Sequence, residues 1–581
     1  ASGFVANDLL NVNPRLAPLG NYGGPTQTHA LLPGSPAIDA AGAGATGVDQ
    51  RGIAAVGVRD IGAFESRGFT FTLSGTPQTT NVTRSFSIPL TVTVASPFGE
   101  PVANGVVTLT APNTGASATL SNTTLILNSN GQASVSAIAN TIPGTYTVSV
   151  SANGAPNENF TLTNTLFANL TVDRLLDEFN NNLEPGNISL REAIAYIDVN
   201  GTIDFDSALT GGTIALLLGE LTLDRSMTIN GLGATNLAIS GNNTFRVFNI
   251  GGVGTVANIN DLTIRDGNTV GGGGAFFVPN NNTLNLSNSI VTNNTALGLG
   301  GGIRNLGTVN ITGSLFSNNT VQGNSSGGGI DNTGILTLTN STLSGNTANG
   351  NSSGGAIWNN NSVTLNNVTI AENIANGAGS SGGVASFGGT VILNNTLVAG
   401  NINPNAPDVL GTFSSQGNNL IGVSNGSTGL APSARVGTLA NPVNPLLAPL
   451  GNYGGPTPTY ALLPGSLAID AGSGRTTTID QRGIAAVGVR DIGAFESRGF
   501  VLTPLSNSTP QNTNLTLPFS QPLGVTVSSL FGEPVANGVI TFTAPISGAS
   551  ANLSSLTATI DNKGQASITA NANTIPGAYT V

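Results

Sequence analysis

From about residue 250 to residue 400, apolar and polar residues alternate in short runs, each broken by glycine or asparagine. Three consecutive stretches make the pattern plain: "GGGIRNLGTVNITGSLFSNN" from Gly300, "GGGIDNTGILTLTNSTLSGN" from Gly327 and "GGAIWNNNSVTLNNVTIAEN" from Gly354. Strict alternation sends every second side chain to one face, which predicts short β-strands. A constant lag of 16 residues separates Ile303 from Asn319, Ile330 from Asn346, Ile357 from Asn373 and Ala385 from Asn401. Stacking the stretches places like on like. One column holds Leu286, Ile311, Leu338, Leu365 and Leu393, and a second holds Val291, Phe316, Leu343, Ile370 and Val398. A column of smaller residues, Ser289, Ser314, Ser341, Val368 and Thr396, runs between them. Glycine pairs suit corners with positive φ. Asparagine tolerates the left-handed conformation, and its amide can bond to an amide above and below, which assigns Asn294, Asn319, Asn346, Asn373 and Asn401 to a structural corner column. Each block reads as one turn of a parallel β-helix of some ten turns, roughly 50 Å long. A leucine-rich horseshoe would need helical periodicity between the strands, and none is present.

A coil of strands leaves open edges at its ends, so caps are expected. Upstream, "NISLREAIAYI" predicts a short amphipathic helix with Leu190, Ile194 and Ile197 on one face. Ser189 and Glu192 stand in capping-box spacing, and Arg191 lies between them. Downstream, the turn-rich stretch Asn444–Ser497 reads as a final wrap in which Asp480, Arg482, Arg490, Asp491 and Glu496 pair with one another. From about Gly68 to Asn164 the pattern becomes alternating strands with Pro/Gly/Asn turns, the signature of a β-sandwich. The expected organisation is therefore 1–66, the closing end of a preceding β-helix; 67–165, a sandwich; 166–200, a cap with the SLREA helix; 201–440, the β-helix; 441–497, its closing domain; and 498–581, an incomplete second sandwich.

The division at both ends follows from internal repeats. "DQRGIAAVGVRDIGAFESRGF" at Asp49–Phe69 recurs unchanged at Asp480–Phe500, and "LAPLGNYGGPT" at Leu16–Thr26 recurs at Leu447–Thr457 with the same offset. "GEPVANGV" at Gly99–Val106 recurs at Gly532–Val539, two residues further on. The chain thus reads as a window on a longer tandem array. Donation of the missing strand by a neighbouring molecule is the rival reading.

Charged residues make up only 8% of the 581 and the formal net charge is −11. Lys563 is the sole lysine, so nucleic-acid binding has little support. With 39% hydrophobic residues disorder is not expected, and no apolar run is long enough for a membrane-spanning helix. Cysteine is absent, so stability cannot rest on disulfides. Candidate chemistry is thin. Asp261, Arg265 and Asp266 form the densest charged group in the coil, where a catalytic pair of acids competes with a surface ion pair. His29 is the only histidine and faces Tyr460 in the second copy, which argues against a catalytic imidazole or a zinc site. The chain is therefore not expected to be an enzyme or to need a cofactor. Weak Ca²⁺ binding at the cap carboxylates or the Asn128–Gly131 turn stays open. Trp358 and Phe276/Phe277 follow glycine corners and would either pack against adjacent turns or stack on sugars.

Several of these stretches carry a family resemblance. "ISLREA" at Ile188–Ala193 resembles the CSLREA motif at the head of bacterial surface β-helices, with Ile188 in place of the cysteine. "LLPGSLAID", "DQRG" and "DIGAFE" are similar to the closing domain called choice-of-anchor Q. "GEPVANGVVTLTAP" and "NSNGQAS" resemble invasin-type bacterial immunoglobulin-like domains. "GGAI" and "FSNN" resemble repeats of chlamydial polymorphic outer-membrane adhesins. The resemblance implies an all-β chain in which a right-handed parallel β-helix alternates with immunoglobulin-like β-sandwich modules. It also implies a giant repetitive protein that is secreted or attached to a bacterial surface. The expected function is a non-catalytic structural or adhesive fibre, a cell-surface or biofilm-matrix component, whose partners are neighbouring copies of itself and extracellular polysaccharide. The alternative is a glycan-binding or polysaccharide-degrading β-helix.

Overall fold

The computed structural model describes residues 8–42, 47–473 and 478–581. They fall into two compact units, the first spanning Ala1–Phe167 with Asn181–Leu183, the second covering Ala168–Asn180 and Glu184–Val581.

The second unit contains a parallel β-solenoid of about nine turns. One turn comprises four short strands, Ile330–Asn332, Ile335–Thr339, Thr342–Ser344 and Thr347–Ala348. Every strand pairs in parallel with its counterparts one turn before and after, so the wall consists of long parallel ladders, ten strands in one sheet and five in another. The register joins Leu286, Ile311, Leu338, Leu365 and Leu393, and on the next wall Val291, Phe316, Leu343, Ile370 and Val398. All of these side chains are at most 1% exposed.

The alignment through Ala385 is one residue off. Ile357 pairs with Val384, while Ser362 pairs with Thr390, so an extra residue enters the corner at Phe387–Gly389, where Gly389 takes φ +69°. The glycine corners also have a second cause. Gly273 and Gly300 do adopt positive φ, but Gly274, Gly301, Gly328 and Gly355 do not. A Cβ on any of these four would lie 2.1–2.5 Å from the carbonyl oxygen of the next glycine along the stack. Close backbone approach, rather than the turn itself, excludes side chains there.

The helix Leu190–Tyr196 precedes the first turn, and its capping box is formed at both ends: the Ser189 side chain accepts from the Glu192 N–H, and the Glu192 carboxylate accepts from the Ser189 N–H. After the solenoid, the described residues of 444–497 form no long strands. They share an apolar core with its last turns, in which Leu397, Ala399 and Leu420 meet Ala461, Leu462, Leu463, Ile492 and Phe495. Small antiparallel sheets follow, including Val501–Pro504 paired with Leu523–Ser528.

The first unit holds a near-identical turn-rich segment and its own small sheets. One sheet has three strands and another five, with Leu90, Val92, Val107, Leu109, Val148, Val150, Phe160 and Leu162 between them at no more than 1% exposure. Leu31, Leu32 and Phe64 of the turn-rich segment join that same core.

Candidate functional site

The most ordered polar feature is a buried amide ladder. Asn294 Nδ2 donates to Asn319 Oδ1 (2.9 Å), Asn319 to Asn346 (2.9 Å), Asn346 to Asn373 (2.8 Å) and Asn373 to Asn401 (2.8 Å). Each Asn backbone N–H donates to the same oxygen, and each Nδ2 also reaches a carbonyl of the preceding turn, as Asn346 does to Phe316. The left-handed residue is the one before each Asn, namely Asn293, Asn318, Gly345, Glu372 and Gly400. The ladder is thus one position past the bend, aimed inward.

All the donors point the same way, so the last Asn needs an acceptor that requires nothing in return. Asp408 supplies it. Its Oδ1 accepts from both Asn401 N (3.0 Å) and Asn401 Nδ2 (2.8 Å), and its Oδ2 accepts from Val423 N (2.7 Å). A carboxylate is an acceptor-only group, which suits the end of a one-way chain. Burial nevertheless pushes its pKa up to about 6, against the pull of those three donors.

The cap residues lie in two places. Arg191 pairs with Asp177 (2.7 Å) and donates to the Gly219 and Glu220 carbonyls. Burial works to raise the Asp177 pKa, but Arg191 and the Leu217 and Leu218 amides outweigh it and hold the group below its ordinary value. In the closing segment, Arg482 pairs with Asp480 at 2.7 Å and lies over the Phe495 ring at 3.6 Å. Arg490 approaches Glu496 at 3.9 Å, and Asp491 accepts from the Asp470 and Ser497 amides. Burial pushes Asp491 and Glu496 up to about 7; the Asp470 and Glu533 carboxylates add to it at Asp491, and Asp491 adds to it at Glu496. Sequence reasoning passes over Glu533, which closes this group. It accepts from Ser497 Oγ and Arg498 N and pairs with Arg498 (3.2 Å), latching the closing segment to the small sheets after it. Glu100 does the same beside Arg51 and Arg67 in the first unit. The signal was the repeated "GEPVANGV".

The closing segment also lies along the flank of the ten-stranded sheet. Tyr460 Oη is 2.5 Å from Ser344 Oγ and donates to Glu372 Oε2 at 2.8 Å. Thr342 Oγ1 meets Thr459 Oγ1 (2.8 Å) and Gln481 Oε1 (2.7 Å), while Ala494 N donates to Thr369 Oγ1 and Gly493 N to the Asn395 carbonyl. Burial raises the Tyr460 pKa.

The charged group of the coil is not assembled as a pair of acids. Asp261 and Asp266 occupy two different left-handed corners, at φ +58° and +52°. Arg265 pairs with Asp266 (3.1 Å), whereas Asp261 bonds to Asn288 and is raised by burial. His29 is exposed, with Nδ1 on the Ala17 carbonyl at 2.8 Å. Phe276 is core, stacked on Phe248. Phe277 instead points outward and begins a file of register neighbours, Phe277, Arg304, Asp331 and Trp358. Arg304 pairs with Asp331, and Phe387 lies 6.3 Å from the Trp358 ring. Among the described residues, no three His, Cys, Asp or Glu side chains converge as metal ligands, and no helix is long and apolar enough to cross a membrane.

No family model matches the chain, and no match to a curated protein was found.

Proposed function

We propose that this chain is a segment of a long extracellular bacterial fibre or adhesin in which β-solenoids alternate with immunoglobulin-like sandwiches, and that it bears load or contact rather than performing catalysis. The observation behind this reading is the unbroken amide ladder from Asn294 to Asp408, together with apolar columns in strict register. Such a wall concentrates its hydrogen bonds along one axis and fills its interior, which favours stiffness over a reactive cavity. The low charge and the outward Thr, Ser and Asn positions of strands such as Thr308–Thr312 and Ser362–Asn366 suit lateral contact with like molecules or with polysaccharide. The test is electron microscopy of the native material: filaments with an axial repeat on the order of 100 Å are expected from stacked turns plus sandwiches. Isolated globular particles would end the fibre reading.

A glycan-binding role is the second reading, favoured by the half-buried Phe277, Arg304 and Trp358, which line one outward file over the buried Asp331. Trp358 is the only tryptophan, so its fluorescence reports this face alone. Saturable quenching by an acidic polysaccharide, lost in Phe387→Ala, is the expected result; unchanged emission removes the reading.

A further inference from the structure

The two closing segments share their sequence from Asp49 to Phe69 and from Asp480 to Phe500, yet only the second lies on a solenoid. The same residues therefore report two environments. Ile492 and Ala494 are 0% exposed and Gln481 2%, whereas Ile61 is 42% exposed and Ala63 and Gln50 are also open. Thr457 is 1% exposed, and its counterpart Thr26 is open. A Cβ on Gly493 would lie 2.7 Å from Thr369 Oγ1 and 3.3 Å from Leu397 Cβ; one on Gly62 would meet nothing within 4 Å.

The open face is nonetheless already in its docked form. Gln50 Nε2 donates to Thr26 Oγ1 (2.6 Å) and the Gln27 carbonyl (3.0 Å), as Gln481 does to Thr457 (2.8 Å) and Pro458 (3.0 Å). Asp60 holds Asp39 N at 2.7 Å and Ser66 N at 2.6 Å, and Asp491 holds Asp470 N and Ser497 N at the same distances. Arg51 lies 3.5 Å above Phe64, as Arg482 does above Phe495 at 3.6 Å. A face held in one geometry with and without its partner loses little freedom on docking.

We infer that the face formed by Thr26, His29, Gln50, Ile61, Gly62 and Ala63 is a docking surface for the flank of a second copy of this chain's solenoid, one whose own closing segment does not cover that flank. The partner is specified by chemistry. The flank must offer a threonine hydroxyl to Gln50, as Thr342 does to Gln481, and a further threonine on the next rung to accept from the Ala63 N–H, as Thr369 does from Ala494. It must also leave a small apolar recess for Ile61 and Gly62. His29 changes one contact. With Nδ1 donating to the Ala17 carbonyl, Nε2 is left as an acceptor, so the ring accepts from the hydroxyl at the Ser344 position where Tyr460 also spends a donor on Glu372. The open half of the same sheet does not meet these needs, because no two adjacent rungs there hold threonine: the column runs Ala238, Thr263, Ile290, Leu315. This deepens the fibre reading by naming a contact between successive solenoids, and it can fail while filaments are still seen.

The chain contains no cysteine, so one introduced thiol reports one site. In the full chain, Ala494→Cys is expected to resist a maleimide and Ala63→Cys to react freely. Placing a second copy of residues 168–443 ahead of the full chain is expected to slow labelling of Ala63→Cys by ~10-fold or more. Ile61→Asp in the same extended chain should restore the free rate. Free labelling of Ala63→Cys, while Ala494→Cys in that molecule stays protected and the β-sheet circular dichroism rises with the added solenoid, overturns the inference. If the extended chain does not fold, two full chains decide the matter, one with Ala63→Cys and one with Thr369→Cys and Ile492→Asp. A disulfide-linked pair forming faster than with an Ile335→Cys control supports docking, and equal rates refute it.

Discussion

The solenoid and the sheets of the first unit use the same alternation to opposite ends. In the strand Glu158–Thr165 the inward residues meet unlike partners across an antiparallel pair, Phe160 against Val148 and Leu162 against Tyr146. In the strand Ile335–Thr339, Leu338 lies between Ile311 and Leu365, and Thr337 between Asn310 and Thr364. The first arrangement is a single interlocking core, in which each residue fits one place. The second is a column, in which each residue is both support and load for its own kind. In the column a buried amide is satisfied by its own kind one turn away, whereas the buried Asn164 of the first unit needs four unlike partners, Ser117, Asn140, Ile142 and Tyr146. The weakness of a column follows from the same fact: removing one member orphans groups on both sides.

Asn346 is where that difference should be largest. Its side chain accepts from Asn319 N and Nδ2 and donates to Asn373 and the Phe316 carbonyl. Asn346→Ala leaves several buried groups unpaired, and at ~1–3 kcal/mol for each the expected loss is about 4 kcal/mol or more. Asn349→Ala, three residues on, removes two exposed amide contacts, one donated to Gln322 and one accepted from Asn376, and should cost under ~0.5 kcal/mol. Urea unfolding of the two variants checks the pair. Equal losses would mean that the ladder is ornamental.

Next comes a matched core deletion. Leu338 and Leu162 are both 0% exposed, so Leu→Ala at either should cost about 3 kcal/mol through lost burial and a residual cavity. The distinction lies in how far the damage spreads. Amide exchange in Leu338→Ala should speed up on adjoining turns and fade along the axis, since neighbouring turns are coupled only in sequence. In Leu162→Ala the whole set of small sheets should lose protection together.

How much of this the sequence discloses depends on the same contrast. A column repeats its residues, so the register of Leu338 over Ile311 and the line of Asn294 through Asn401 are visible before any coordinates. The slip at Ala385 arises because an inserted corner residue between Val384 and Thr390 leaves no mark on the alternation. Asp408 is invisible for another reason: it ends the ladder seven residues after Asn401, off the period. The docking of the closing segment is the least legible feature. Tyr460 meets Ser344 and Glu372 across a separation that no spacing rule reports, and in the sequence it reads merely as the residue opposite His29.

The ladder's end predicts a smaller, pH-dependent effect. Asp408 has its pKa raised from 3.8 to about 6, chiefly by burial, so the fold favours the protonated acid. Its contribution to stability is complete below 3.8 and is lost as pH rises through about 6. Asp491 and Glu496 act in the same direction, with loss as pH rises through about 7. Asp177, depressed below 3.8, acts the other way, and its contribution disappears as pH falls beneath that value. Intrinsic-rate-corrected exchange at the Asn401 and Val423 amides should therefore be slower at pH 5 than at pH 8, by an amount on the order of 1 kcal/mol. Asp408→Asn should flatten that difference, whereas the small sheets of the first unit, far from this carboxyl in sequence and core, should not follow it.

The smallest expected effect separates the column from its partner. Glu372 sits at φ +61° in a file whose neighbours are Gly345 and Gly400, so the repeat alone favours glycine there. Holding a glutamate in the left-handed region costs about 1 kcal/mol, and the carboxylate recovers part of that by accepting from Tyr460. Glu372→Gly removes the strain and the bond together, and the net change should stay within ~1 kcal/mol of zero. A cycle with Tyr460→Phe resolves the two terms. If the hydroxyl bond is what keeps glutamate at this corner, Glu372→Gly stabilises the Tyr460→Phe chain more than it stabilises the parent, because only the strain is left to relieve. Identical increments in both backgrounds would mean that the corner is chosen by the column and that the closing segment merely lies against it.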